Sequence, residues 1–308
     1  MVTAFILITA MIIDGILGDP LWLWKKISHP VVMIGRLISI CETHRLSQVS
    51  ERLNGIILIF FLLCVTILIG FLLSQLGPIV EILSAAILLA HKSLIEHVRA
   101  VADALRYSVE DGRLVVGKIV GRETSNMDYS DIARATIESA GENLSDGLVA
   151  PVFWFLVAGL PGMLAYKAIN TADSMIGYRT SHYKEFGWSA ARLDDLLNFI
   201  PARLTALLIC ISSKHSIKWQ CLKNDAIRHR SPNAGWPEAA MARVLGIALS
   251  GPRVYDGKIQ EYPFINNQGI RAINVKHIEA AINVMWRTWA ILMMLIVVLF
   301  ILIHWFLT

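Results

Sequence analysis

Charge is scarce in this chain: 17% of its 308 residues are charged and 55% are hydrophobic, where about 25% charged is usual for a soluble domain. That deficit excludes an ordinary soluble enzyme and, more firmly, a disordered chain. Cysteine is scarce as well. Cys41, Cys64, Cys210 and Cys221 stand far apart with no Cys-x-x-Cys pair, which excludes a disulfide framework and a zinc ribbon. The net charge of +4 is mild and spread, with no Lys/Arg-rich run, so nucleic acid is not an expected partner. The chain also lacks a P-loop, a Gly-x-Gly-x-x-Gly fingerprint, a His-Glu-x-x-His pair and a Gly-x-Ser-x-Gly elbow. A nucleotide bound here does not use one of the common loops.

The missing charges map a membrane. No Lys or Arg lies in 1–17, 56–90 or 288–308. Ile56–Leu73 and Trp289–Leu307 approach the roughly 20 apolar residues that a spanning helix needs, the second with Trp289 and Trp305 as interfacial anchors. Segment 2–17 is apolar up to Asp14. It has no positive leading region and no small-residue cleavage site, so it is expected to be a retained helix. Segment 76–90 is expected to form a hairpin with 56–73. Segments 148–166 and 196–211 carry Pro151, Pro161, Pro201 and Arg203. An arginine at membrane depth costs roughly 2.5–3.5 kcal/mol, so these two are full spans lining a site or a re-entrant pair.

The expectation is therefore an all-α, polytopic integral membrane protein with four to six membrane segments and a single membrane-embedded catalytic domain over 1–308. Residues 18–55 carry five Lys/Arg, 91–147 seven and 212–288 eleven. The positive-inside rule puts these loops in the cytoplasm and both termini outside. The 170–195 loop, with three, is left open. Helical spacing from Leu94 to Val109 predicts a helix stopped by Gly112, and Ile132–Ala140 a second, capped by Ser130 or Asp128.

Polar residues concentrate in islands. The densest runs from Glu138 to Gly147. Glu138 and Glu142 share a helix face at i, i+4, and Asn143, Ser145 and Asp146 add oxygen ligands at the expected helix end. Hard oxygen ligands of this kind suit Mg²⁺ holding a phosphate, which makes Glu138, Glu142 and Asp146 the expected metal ligands. A second island holds Asn170, Asp173, Ser174, Tyr178 and Arg179. A third holds Arg192, Asp194, Asp195, Asn198 and Arg203; there the acids serve equally well as first-turn charges of a helix. A fourth, Ser231–Glu238, has two prolines and a glycine, and reads as a rigid loop offering Asn233, Trp236 and Glu238 to a ligand. A fifth contains Gly18-Asp19-Pro20 and His29-Pro30; His29 is either structural or a ligand group.

Taken in order, these stretches resemble the integral-membrane cobinamide-phosphate synthase family of cobalamin biosynthesis, the CobD/CbiB family. The resemblance is carried by Asp14…Gly18-Asp19-Pro20, His29-Pro30-Val31, Gly121-Arg122-Glu123-Thr124 and the run from Glu138 to Pro151. It continues through Asn170-Thr171…Asp173-Ser174-Met175-Ile176-Gly177-Tyr178, Phe186-Gly187-Trp188, Ala191–Asp195, Pro201-Ala202-Arg203 and Ser231–Ala239. It implies an ATP-dependent ligase of the bacterial inner membrane. Such an enzyme joins the amine of aminopropanol phosphate, or threonine phosphate, to a propionate carboxylate of adenosylcobyric acid. It would use ATP and Mg²⁺, sit among membrane lipid, and keep company with other late enzymes of that pathway.

Amide formation needs an activated carboxylate, clamps for phosphate and a base for the ammonium. Glu138, Glu142, Asn143, Asp146, Asp173 and Asp194 are the candidates for catalysis. Arg179, Arg192 and Arg203 suit phosphate, with Asn170, Ser174, Tyr178, Asn233, Trp236, Glu238 and His29 around the substrate. Which acid takes the amine proton is open at this point. A membrane sensor on the same scaffold would let these islands thin out, and all five keep their polar residues. A transporter would show matching broken helices in two halves, and the two broken segments are neighbours.

Overall fold

A computed structural model describes residues 2–46, 48–178, 180–213, 215–255 and 258–307. The order is α1 (Val2–Leu17), α2 (Leu21–Trp24), α3 (Pro30–Thr43), α4 (Glu51–Gln75), α5 (Pro78–Leu88), α6 (His91–Tyr107), α7 (Val109–Val116) and α8 (Tyr129–Leu144). A π-helical turn at Ser145–Val149 leads into α9 (Ala150–Ile176). Then come α10 (Trp188–Leu197), α11 (Phe199–Ile211), α12 (Trp219–Ala226) and α13 (Gly235–Leu245). Four short strands follow, β1 (Leu249–Ser250), β2 (Arg253–Tyr255), β3 (Lys258–Gln260) and β4 (Phe264–Ile265), before α14 (Val275–Leu307). The strands make two small antiparallel pairs, β1 with β4 and β2 with β3, so the all-helical expectation holds but for these fragments.

Among the described residues four helical stretches are long and apolar enough to cross a membrane: Glu51–Gln75, Pro78–Tyr107, Tyr129–Ile176 and Val275–Trp305. Helix α4 shows why: Phe60, Leu68, Phe71 and Leu72 are each more than half exposed, a surface that lipid suits and water does not. Helix α11 has 13 residues, about 20 Å of rise, which is short of the roughly 30 Å hydrocarbon core.

The chain divides into two compact units. The first comprises 1–92, 146–199 and 296–308; the second comprises 93–145 and 200–295. In the first, α4 lies along α9, and α3 and α10 join them. Their shared core is Ile38, Leu62, Ala168, Ile169, Ala172 and Phe186. The close approach of α4 to α9 depends on Gly70: a Cβ there would lie 2.6 Å from Pro161 Cα. Gly70→Val should therefore destabilise the protein by roughly 1–3 kcal/mol. Gly121→Ala, whose added methyl would have nothing within 4 Å, should be neutral. Thermal unfolding in detergent checks the pair; equal melting of both variants would show that the α4–α9 contact is slack.

Several sequence expectations change. The Glu138–Gly147 island is not a helix end. Helix α8 continues through Leu144 and the π turn carries the chain straight into α9. Pro151 has no N–H for the carbonyl of Gly147, four residues back, and the N–H of Ala90 takes that carbonyl at 3.0 Å. Nor is the second island a loop: Asn170, Asp173 and Ser174 ride on the last turns of α9. That helix is broken instead at Ala158 and Gly159, where Gly159 has φ +63°, a conformation that glycine tolerates, two residues before Pro161.

Gly112 does not stop a helix. Ser108 breaks the run and caps α7, accepting from the N–H of Asp111 at 3.0 Å, and Gly112 is buried inside α7. Of the two caps expected for the next helix, Asp128 is the one used, in a capping box with Asp131. The rigid loop expected at Ser231–Glu238 is only half loop. Gly235–Glu238 is the first turn of α13, where Pro237 forfeits no helical bond because first-turn N–H groups have no internal partner.

Candidate functional site

The first unit buries a network of polar side chains in an apolar setting. Asn170, on α9, donates from one amide nitrogen to Asp146 Oδ2 at 3.2 Å and to Asp194 Oδ1 at 3.3 Å. Asn198, 2% exposed, donates to Asp194 Oδ2 at 3.0 Å. The buried hydroxyl of Tyr166 donates to Asn198 Oδ1 at 2.9 Å. The positions follow from helix geometry: Tyr166 and Asn170 are i, i+4 on α9, and Asp194 and Asn198 are i, i+4 at the end of α10. Burial pushes the Asp194 carboxyl above its ordinary range and the charge of Asp195 adds to this, while the donors Asn198 and Asn170 pull it back. Lys167, 8% exposed, lies beside this network, and the carboxylates of Asp146, Asp19 and Asp14 act on it electrostatically.

Other expected residues of this unit lie away from that network's hydrogen bonds. His29 caps α3, its Nδ1 accepting from the N–H of Val31 at 3.2 Å, and its other nitrogen stands 3.6 Å from Asp19. Ser174 is exposed and donates to the carbonyl of Asn170. Tyr178 is exposed. Arg192 is exposed beside Asp195 at 3.5 Å. Asp173 is half-buried near the end of α9. Arg179 lies outside the described residues.

The second unit has a polar centre of its own around α8. Glu138, 5% exposed, accepts from Arg122 at 2.9 Å and from the backbone N–H of Ser250 at 2.6 Å. Ser250 has φ +60°, a strained conformation for a residue with a side chain, and the buried carboxylate pins it there. Ser139 donates to the carbonyl of Ile119 at 2.9 Å, and Asn143 donates to Ser139 at 2.8 and 2.9 Å. One face of α8 thus holds the 117–128 loop. A cavity of about 70 Å³ opens beside Arg122, Glu123, Asn126, Arg134 and Ser250.

Elsewhere in this unit Arg203 donates to Asn233 Oδ1 at 3.2 Å, and its guanidinium lies over Trp236, 4.8 Å from the ring centroid. The side chains of Glu238 and His229 are both buried and 3.4 Å apart. Glu142 is exposed, so the two glutamates that share a helix face part in burial.

Two of the expected magnesium ligands, Glu138 and Asp146, hold other partners. Two of the contacts of Glu138 are a guanidinium and a backbone N–H, and Asp146 is held by Asn170. Among the described residues no three or more His, Cys, Asp or Glu side chains are grouped to hold a metal ion.

Of the residues expected from sequence, Asp146, Asn170 and Asp194 are brought together in one unit, and Arg203, Asn233 and Trp236 in the other. Sequence reasoning missed Lys167, Tyr166 and the role of Arg122. Lys167 had a signal: it is the only basic residue in the 27 residues of α9.

Comparison with known proteins bears on all of this. The family model described as CobD/Cbib protein matches residues 7–285. A protein named cobalamin biosynthesis protein CobD from Brucella suis biovar 1 (strain 1330) is 45% identical over 313 aligned residues, covering 95% of this chain and 95% of that protein. Its namesake from Sinorhizobium fredii (strain NBRC 101917 / NGR234) is 44% identical over 301 residues, covering 92% of each. The one from Rhodobacter capsulatus is 45% identical over 273 residues, covering 85% of this chain and 87% of the other. No solved structure matches the chain.

Proposed function

The chain belongs to the CobD/Cbib family of cobalamin biosynthesis, and we propose that it is the pathway's membrane-bound, ATP-dependent amide ligase. On this reading it attaches aminopropanol phosphate, or threonine phosphate, to adenosylcobyric acid and yields adenosylcobinamide phosphate or its threonine counterpart. A sensor on the same scaffold without catalysis would let the polar islands thin out, and here they keep their acids and amides. The observation that carries the enzyme reading is the network of Asp146, Asn170, Asp194, Asn198 and Tyr166, kept in an apolar unit beside a buried lysine. Intramembrane ionisable groups are expensive and persist where they do work.

The proposed chemistry balances in two steps. A propionate oxygen of the corrin attacks the γ-phosphorus of ATP, giving an acyl phosphate and ADP. The amine nitrogen then attacks the acyl carbon, phosphate leaves, and the ammonium loses a proton. Asp194 is the group best suited to accept it: it is half-buried, and Asn170 and Asn198 fix its two oxygens. A base near 7 in pKa is the most effective at working pH, and burial moves Asp194 in that direction. ATP enters as a substrate. Magnesium would accompany ATP and offset the charge of its phosphates.

The test is a mass measurement. Purified protein in detergent, given ATP, Mg²⁺, adenosylcobyric acid and each linker in turn, should raise the corrin mass by one linker less one water while releasing one ADP. A corrin of unchanged mass with every linker overturns the ligase reading.

A further inference from the structure

Lys167 lies well inside α9 and is 8% exposed. Among the described residues its ammonium has no hydrogen-bond acceptor and no carboxylate at ion-pair distance, although Asp146, Asp19 and Asp14 act on it electrostatically. An ammonium on so nearly buried a side chain, with no acceptor from the protein, is costly unless a solvent or ligand oxygen reaches it. Two of the three acids hold other partners: Asp14 accepts the N–H of His91 at 3.2 Å, and Asp19 faces His29 at 3.6 Å. The third, Asp146, is bridged to Asp194 through the single amide nitrogen of Asn170. Lys167 and Asn170 are three residues apart on α9 and so share a face. On one side of this face the ammonium of Lys167 has no acceptor within hydrogen-bond distance among the described residues, and the nearest carboxylates act on it only from further off. The other holds two half-buried carboxylates that share one donor.

A ligand that satisfies both must carry an anionic oxygen and an ammonium a few bonds apart. We infer that this face of the first unit is the seat of the amine substrate, bound as an amino-alkyl phosphate. A phosphate oxygen accepts from Lys167, and the ammonium donates to Asp146 and Asp194. The site rests on the ligase reading and adds to it the residue that recognises the phosphate. It also explains why the linker would be used as its phosphate ester: the free amino alcohol leaves Lys167 without an acceptor. Lys167 is then a binding residue and Asp194 the proton acceptor, side by side on one substrate.

The experiment uses the full chain in detergent and three probes: aminopropanol phosphate, aminopropanol, and propyl phosphate. Calorimetric titration of the wild type should rank the first tightest, by at least roughly tenfold over either of the others, the worth of one charge-assisted hydrogen bond. Lys167→Met should erase the preference over aminopropanol and leave that over propyl phosphate. Asp194→Asn should do the reverse, and Lys167→Arg should restore part of the first preference. If Lys167→Met does not fold, reductive methylation of the wild type decides. Propyl phosphate, which has no amine of its own to be methylated, should shield Lys167, read by peptide mass, and propanol should not. A wild type with no preference, a Lys167→Met variant that keeps it, or equal labelling with both probes overturns the site. These outcomes are separate from failure of the ligase reading: a chain that forms amide while Lys167→Met keeps its preference loses only this site, whereas a corrin of unchanged mass removes the ligase whatever the titrations show.

Discussion

Glu138→Gln should cost the protein roughly 3–5 kcal/mol of stability, the usual penalty for removing one partner of a buried ion pair. The side chains of Arg122 and Glu138 are 11% and 7% exposed, so water screens little of their attraction. Glutamine keeps the shape and loses the charge. Its single oxygen can serve Arg122 or the N–H of Ser250 but not both, and its amide hydrogens then point at a donor. A buried guanidinium is left uncompensated, and the positive-φ turn at Ser250 loses its anchor. Thermal unfolding in detergent should show the loss, and Arg122→Met added to Glu138→Gln should recover much of it, because the pair is then removed together. Wild-type stability with abolished activity would contradict this assignment and return Glu138 to the role of a metal ligand.

That outcome matters because sequence and structure part company at this residue. The spacing of Glu138 and Glu142 was visible in the chain, and so was the crowding of acids before an apolar stretch. What the spacing did not contain was Arg122, sixteen residues upstream in a loop, or Ser250, which is brought to α8 from 112 residues away. Tertiary partners decide whether a carboxylate is available to a metal, and periodicity does not report them.

The membrane helices were the more readable part. Lipid demands long apolar runs and the absence of Lys and Arg, and both are one-dimensional properties. Their joints were not. Pro151 and Pro201 look like breaks, yet the carbonyls they leave unserved find donors elsewhere: Gly147 from Ala90, and Leu197 from the indole N–H of Trp154 at 3.2 Å. The chain therefore runs through Pro151 as helix, and the real break falls at Gly159. Within the first unit, Asp146, Asn170 and Asp194 stand out in the sequence as polar residues in an apolar chain, and that contrast also marks Lys167. The single amide nitrogen that links the two carboxylates is a fact of three dimensions only.

Asp194→Asn should lower the rate of amide formation by about 10²–10⁴-fold, the usual contribution of a positioned general base, while leaving a folded protein. The variant also mispairs. Asn170 and Asn198 both donate to Asp194, and an asparagine can accept from only one of them while presenting its own N–H groups to the other. Its stability deficit should depend on pH in a set direction. Burial holds the Asp194 carboxyl above its ordinary value of 3.8, so the fold prefers the neutral form. In the wild type, stability is highest below that ordinary value and declines as pH rises from there through the elevated folded pKa. Asparagine does not titrate and shows no such decline. The deficit of the variant should thus be largest in acid and shrink as pH rises across that window. Asp195 adds its charge to the shift of Asp194, and Asp146 and Tyr166 face the same network through Asn170 and Asn198. Thermal unfolding of both proteins in detergent from acid to neutral pH, alongside initial rates with aminopropanol phosphate, measures both effects. A deficit that grows with pH would mean that the carboxylate, not the acid, is the stabilised form. A rate within a few-fold of the wild type would remove Asp194 as the proton acceptor.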